Sequence, residues 1–218
     1  QPENTEAKFQ LGALFQKLGD LKNAADCFRA IHLRDPNNAE VLCRLSAIAR
    51  ELGQPEEAIQ AGERTLSLDP DSAEAHNNLG LALCDLSKYS EAVEHFEAAL
   101  TTTSARYETL NNLGVAHQAL GNLDKAEHVL RRALTISSSL PAAERNLGNA
   151  LRQAERFDEA LSCYQRALKK NPLDFTTYAN IGLLLINLNR PADAITIYEK
   201  ALSLKPNHLG IRKSLGIA

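Results

Sequence analysis

The 218-residue chain contains no tryptophan and no methionine, and aromatic residues make up only 5% of it. Since 44% of its residues are hydrophobic, a continuous core can still form, mostly from Ala and Leu. That composition argues against a sandwich of aromatic-rich strands. Long apolar runs are also missing. The longest, from about Ile181 to Ile186, is far below the roughly 20 residues a membrane span needs, so no direct membrane insertion is expected. No charged segment followed by an apolar run opens the sequence, and no signal peptide is read there. The four cysteines, Cys27, Cys43, Cys84 and Cys163, show neither CxxC pairing nor disulfide-framework spacing. Packed, reduced thiols and a cytoplasmic setting are the expectation.

Signatures of chemistry are equally sparse. Phosphate loops of the GxxxxGK type and dinucleotide GxGxxG fingerprints do not occur. The six histidines, His32, His76, His95, His117, His128 and His208, form no pair with metal-ligand spacing and a third ligand nearby. No cofactor, no metal and no catalytic residue are expected, and the chain reads as a non-enzyme. A net charge of −3 and a pI near 6.1 speak against nucleic acid as a partner. The charge is uneven, with 10 Lys+Arg against 17 Asp+Glu in residues 1–106 and 14 against 10 in residues 107–218.

What is present is a period. Asn77-Asn78-Leu79-Gly80 returns as Asn111-Asn112-Leu113-Gly114, as Arg145-Asn146-Leu147-Gly148 and as Ala179-Asn180-Ile181-Gly182, in steps of 34. Twelve residues after each glycine position stands an alanine: Ala24, Ala58, Ala92, Ala126, Ala160 and Ala194. Four further on come Phe28, Gly62, Phe96, Leu130, Tyr164 and Tyr198, and prolines fall at Pro36, Pro70, Pro172 and Pro206. The blocks are 5–38, 39–72, 73–106, 107–140, 141–174 and 175–208, without insertion or deletion. Apolar residues at helical spacing give two amphipathic helices per block. Gly80 and Ala92 are small where these helices approach closely, and Phe96 fills the space beside them.

Gly19, Gly53 and Gly121 carry the turn between the paired helices, with Ser87, Glu155 and Asn189 in the other blocks. Glycine and Asn tolerate the left-handed conformation that ends a helix, so Ser87 and Glu155 should cost stability and leave the topology intact. Asp35-Pro36-Asn37-Asn38 and Asp69-Pro70-Asp71-Ser72 read as a helix stop followed by an N-cap. Ser104 and Ser138 replace that proline in blocks three and four, and Pro141 comes three residues late, which predicts softer exits. Residues 1–4 match the end of a preceding block and 209–218 the start of a further first helix. Both ends are therefore expected to be cuts through a longer array.

This pattern resembles the tetratricopeptide repeat (TPR) family over essentially the whole chain. The resemblance implies an all-α, right-handed α-solenoid superhelix of six helix-turn-helix repeats, 1–218 forming a single array. The family's usual tryptophan early in the repeat is replaced by Lys8, Leu42, His76, Leu110, Glu144 and Tyr178, which predicts looser packing in the first and fifth blocks.

TPR first helices line the concave side of the superhelix, so the resemblance also places Asn78, Asn112, Asn146 and Asn180 as a ladder along the groove. Asn is a mediocre helix-interior residue, and an amide that both donates and accepts can hold the backbone of an extended peptide without reading its sequence. A similar ladder occurs in the superhelix of O-linked N-acetylglucosamine transferases. Asn77, Asn111, Asn149, Arg145 and Arg152 complete the expected peptide-binding set. The competing role for the ladder is to bond the neighbouring repeat's backbone and orient the stacking. The Lys/Asn clamp by which other TPR proteins grip a C-terminal carboxylate is not matched in the first two windows: Phe9, Ala13, Arg44, Glu74 and Asn78, then Cys43, Ala47, Asn78, Glu108 and Asn112.

The reading is thus a protein-interaction module holding a protein or peptide ligand in its concave groove. Two alternatives stand beside it: a substrate-docking arm of a larger protein-modifying enzyme such as a glycosyltransferase, and a self-associating scaffold. The scaffold would join acidic and basic ends, or bury the groove residues Leu183 and Ile186.

Overall fold

A computed structural model describes residues 2–102 and 106–217. Ser104, at a missing proline, lies outside the described residues, as do Gln1 and Ala218. Among the described residues all regular structure is helical, in thirteen α-helices. The first helices of the pairs are α1 (Pro2–Lys17), α3 (Ala39–Glu51), α5 (Ala73–Asp85), α7 (Tyr107–Ala119), α9 (Pro141–Gln153) and α11 (Phe175–Asn187). The second helices are α2 (Leu21–His32), α4 (Pro55–Leu68), α6 (Tyr89–Thr102), α8 (Leu123–Ile136), α10 (Phe157–Lys170) and α12 (Pro191–Leu204), and α13 (Leu209–Ile217) closes the chain. From α3 onward, like helices begin 34 residues apart. The helix α1 differs, because it starts at Pro2 and takes in the segment read as a stop and cap. Proline suits both places, ending one helix or opening the next with its fixed φ.

Two compact units divide the chain, Gln1–Ala116 and His117–Ala218. In the first, α2 and α3 enclose Phe28, Ile31, Val41 and Ile48. In the second, a larger core runs through Leu130, Leu147, Leu151, Tyr164, Leu184 and Tyr198 to Ile211 of α13.

Local geometry follows the small-to-large pattern. All six marker alanines are fully buried. A β-carbon on Gly80 would come within 2.6 Å of the Phe96 ring, and one on Gly148 within 2.6 Å of Tyr164. In the second pair the sizes are exchanged: Gly62 occupies the large-residue place and Ser46 the glycine place, where the Ser46 hydroxyl donates to the Ala58 carbonyl at 2.7 Å. The turns after the first helices are left-handed at Gly19, Gly53 and Gly121, and equally at Ser87 (φ 60°), Glu155 (φ 59°) and Asn189 (φ 55°). Each turn is closed by a six-to-one backbone bond, such as Lys88 N–H to Leu83 O and Arg156 N–H to Leu151 O, both 2.9 Å. Asn38, Ser72 and Asp174 cap α3, α5 and α11 with their side chains. Pro141 opens α9 directly, with Leu140 at the cap position and no side-chain cap.

The fifth block is not loosened as expected. Glu144, in the tryptophan place, is buried, and its carboxylate accepts from Arg166 and Lys170 of α10, each at 3.0 Å. An ion triad there does the joining that a ring would do by packing.

Candidate peptide-binding face

First helices lie side by side, α3 against α5 and α9 against α11, so residues at equivalent positions of successive repeats become neighbours. In the N-terminal unit this makes a cleft of about 340 Å³ across α3, α5 and α7, lined by Arg44, Glu74, Asn77, Asn78, Arg106 and Glu108 among others. A second cleft of about 300 Å³ adjoins the same helix, with Glu40, Cys43, Arg44 and Glu74.

Asn78 donates its amide to Cys43 Sγ (3.5 Å), one repeat back, and Asn112 donates to Asn77 Oδ1 (3.2 Å). In the C-terminal unit Asn180 donates to Asn149 Oδ1 at 2.7 Å, and that same oxygen accepts the Tyr164 hydroxyl at 2.8 Å. Asn78, Asn112, Asn146, Asn149 and Asn180 are all half-buried, as are Asn77 and Asn111. Asn78, Asn112 and Asn180 therefore reach side chains of the preceding first helix, where the alternative expectation had named the neighbouring backbone. Each of these bonds uses one amide hydrogen of Asn78, Asn112 or Asn180, and the amide group has a second N–H and a carbonyl oxygen with capacity for another partner.

The charged members of the expected set separate. Arg145 is bound at 2.6 Å to Asp174, which is itself buried and bonded to Thr177 at the start of α11. Burial pushes the Asp174 pKa up, but Thr177 and Arg145 outweigh it and hold the carboxyl below its usual range. Arg145 thus secures a helix cap. Arg152 is half-buried beside Tyr164 and has no carboxylate partner among the described residues. Burial raises the Tyr164 hydroxyl to about 12, with Arg152 pulling the other way. Leu183 keeps 39% of its surface exposed, whereas Ile186 packs onto the core.

All four cysteines are free. Desolvation, with Glu74 adding to it, pushes Cys43 up to about 12, and burial pushes Cys84 up to about 11, so neither offers a thiolate nucleophile near neutrality. Among the described residues no three His, Cys, Asp or Glu side chains gather as a metal site, and no helix is long and apolar enough to cross a membrane. A cleft of about 670 Å³, lined by Ala25, Arg29, Leu45, Ile48, Glu57 and Arg64 among others, lies away from the asparagines.

Tetratricopeptide repeat models match residues 6–38, 47–87, 71–139, 105–171 and 145–208. The chain belongs to the tetratricopeptide repeat family. No curated protein matches it by sequence. Among solved structures, the TPR chain resembles one in the APC/C hetero-tetramer Cut9-Hcn1 at 20% identity and TM-score 0.89, over 99% of its own length and 43% of that chain. It thus spans less than half of that larger protein. MamA is similar at 26% identity and TM-score 0.65, covering 79% of this chain and 94% of MamA. YrrB, described as a TPR protein with an unusual peptide-binding site, is similar at 22% identity and TM-score 0.64, covering 87% and 98%. Cut9-Hcn1 and YrrB bear on the fold alone. The TPR chain has the architecture of a protein-interaction module.

Proposed function

We propose that the first-helix faces of this TPR chain hold an extended peptide or unstructured protein segment through the amides of Asn78, Asn112, Asn146 and Asn180. The observation carrying this reading is the half-buried, already oriented state of the ladder amides: Asn112 and Asn180 are each pinned through one N–H to another asparagine. A pinned amide loses little rotamer freedom on binding, which lowers the cost of engaging a ligand. The clefts over α3, α5 and α7 supply room for a backbone to pass, and the peptide-binding site ascribed to YrrB is consistent with that use of the fold.

The test uses synthetic peptides chosen by selection of a random-peptide display library on the whole chain, with affinity read by fluorescence anisotropy. A net hydrogen bond contributes on the order of 1 kcal/mol, so single changes such as Asn112→Ala should weaken binding severalfold. Replacing all four ladder asparagines should abolish binding while the helical content is retained. If single changes lower the unfolding temperature and affinity falls only in proportion, the amides serve stacking and the proposal fails.

A further inference from the structure

Four arginines in the chain are half-buried: Arg44, Arg50, Arg145 and Arg152. Three of them meet a carboxylate: Arg44 and Arg50 reach Glu74 (4.0 Å) and Asp85 (3.5 Å) of the following repeat, and Arg145 reaches Asp174 (2.6 Å), the last residue of its own block and the cap of α11. Arg152 has none among the described residues. Arg152 stands three periods after Arg50, and the residue three periods after Asp85 is Asn187. Only these two of the six blocks carry an arginine at this place, and for Arg152 the corresponding acid is replaced by an amide.

The surrounding face is short of acids as well. Helices α11 and α13 contain no Asp or Glu, and the lone acid of α9, Glu144, is buried and committed to Arg166 and Lys170. A partly desolvated guanidinium without a counter-charge retains a strong preference for a planar oxyanion. On the same face, one turn before Arg152, Asn149 is held by Tyr164 and Asn180, and Leu183 presents exposed aliphatic surface.

We propose that Arg152 selects an acidic residue, Asp or Glu, in the segment bound along α9 and α11, with an aliphatic neighbour of that residue resting on Leu183. This rests on the peptide-binding reading above and adds the class of ligand the C-terminal unit prefers. The guanidinium takes the ligand carboxylate in the manner that Arg50 takes Asp85.

The experiment is a random 12-residue peptide library selected in parallel on the wild-type chain, on Arg152→Gln and on Asn187→Asp, with enriched peptides resynthesised for anisotropy. Asn187→Asp restores an internal counter-charge without removing the arginine, so a loss of selection there cannot be blamed on a missing side chain or a damaged fold. On the wild-type chain the enriched peptides should carry Asp or Glu beside an aliphatic residue. Changing that acid to its amide should weaken binding about tenfold, the scale of one charged hydrogen bond. Both variants should lose the acidic preference while still binding the neutral peptide. Enrichment without an acid, or an acidic preference that survives in both variants, overturns the assignment of Arg152 and leaves the peptide-binding face standing. Failure of any peptide to enrich overturns both.

Discussion

Gly80 and Gly148 have no room for a β-carbon, because an aromatic ring from the paired helix occupies the place it would take, 2.6 Å away in each case. Gly148→Ala should therefore destabilise by about 1–3 kcal/mol through overpacking, and adding Tyr164→Ala should recover part of that loss in a chemical-denaturation cycle. Turn residues act by a different route. Ser87 and Glu155 hold left-handed φ near 60°, a conformation that disfavours side chains with a β-carbon by about 1–2 kcal/mol. Nothing lies within 4 Å of where a β-carbon would stand on Gly19, Gly53 or Gly121, so conformation alone decides these positions. Ser87→Gly and Glu155→Gly should each raise the thermal midpoint, and Gly53→Ala should lower it. Unchanged midpoints would mean that the turn is not strained.

Between elements, α5 and α6 are joined by an unusual pair. His76 Nδ1 and His95 Nδ1 lie 3.0 Å apart, and His76 Nε2 lies 3.2 Å from the Pro70 carbonyl. Satisfying both contacts makes His76 donate through Nε2 and accept at Nδ1 from the His95 Nδ1–H, a tautomer assigned from the network. Two protonated rings could not share that contact. The His95 pKa is depressed by burial first and by His76 second, against the opposing pull of Glu94, Glu63 and Glu91. Because the folded pKa lies below the unfolded one, this group's contribution is present above about pH 6.5 and is lost as pH falls through the folded value. The thermal midpoint of the wild-type chain should drop between about pH 7 and pH 5, and His95→Gln should flatten that slope. An equal slope in the variant would assign the pH dependence elsewhere.

Within each of the two units, contacts run from one helix pair to the next, α2 to α3 and α4 to α5 in the first, α8 to α9 and α10 to α11 in the second, so stability is built from local terms. The charge is divided as well, with 10 Lys+Arg against 18 Asp+Glu in Gln1–Ala116 and 14 against 9 in His117–Ala218. Helix α1 leaves Leu11 44% and Leu14 52% exposed, and α13 is only nine residues long. Hydrogen exchange should be fastest in α1 and α13 and slowest in α5 and α9, and denaturant unfolding should depart from a single two-state transition. Uniform protection along the chain would contradict the local picture.

The 34-residue period was legible in the residues alone, and with it the helix pairs, the left-handed turns and the glycine-to-ring contacts. These features depend on spacing within about forty residues, which periodicity records directly. The ladder asparagines were visible as residues out of place in helix interiors, but their partners were not. That Asn180 meets Asn149 and that Arg145 is committed to the cap of α11 follow from how one first helix stacks on the next, and that Glu144 is buried in an ion triad follows from how α9 packs on its partner α10. Stacking sets which side chains share a surface, and it is decided by packing across helices rather than by any pattern along one of them. Arg152 stands out for the same reason: its sequence position predicts a groove cation, while only the neighbouring helices reveal that its counter-charge is missing.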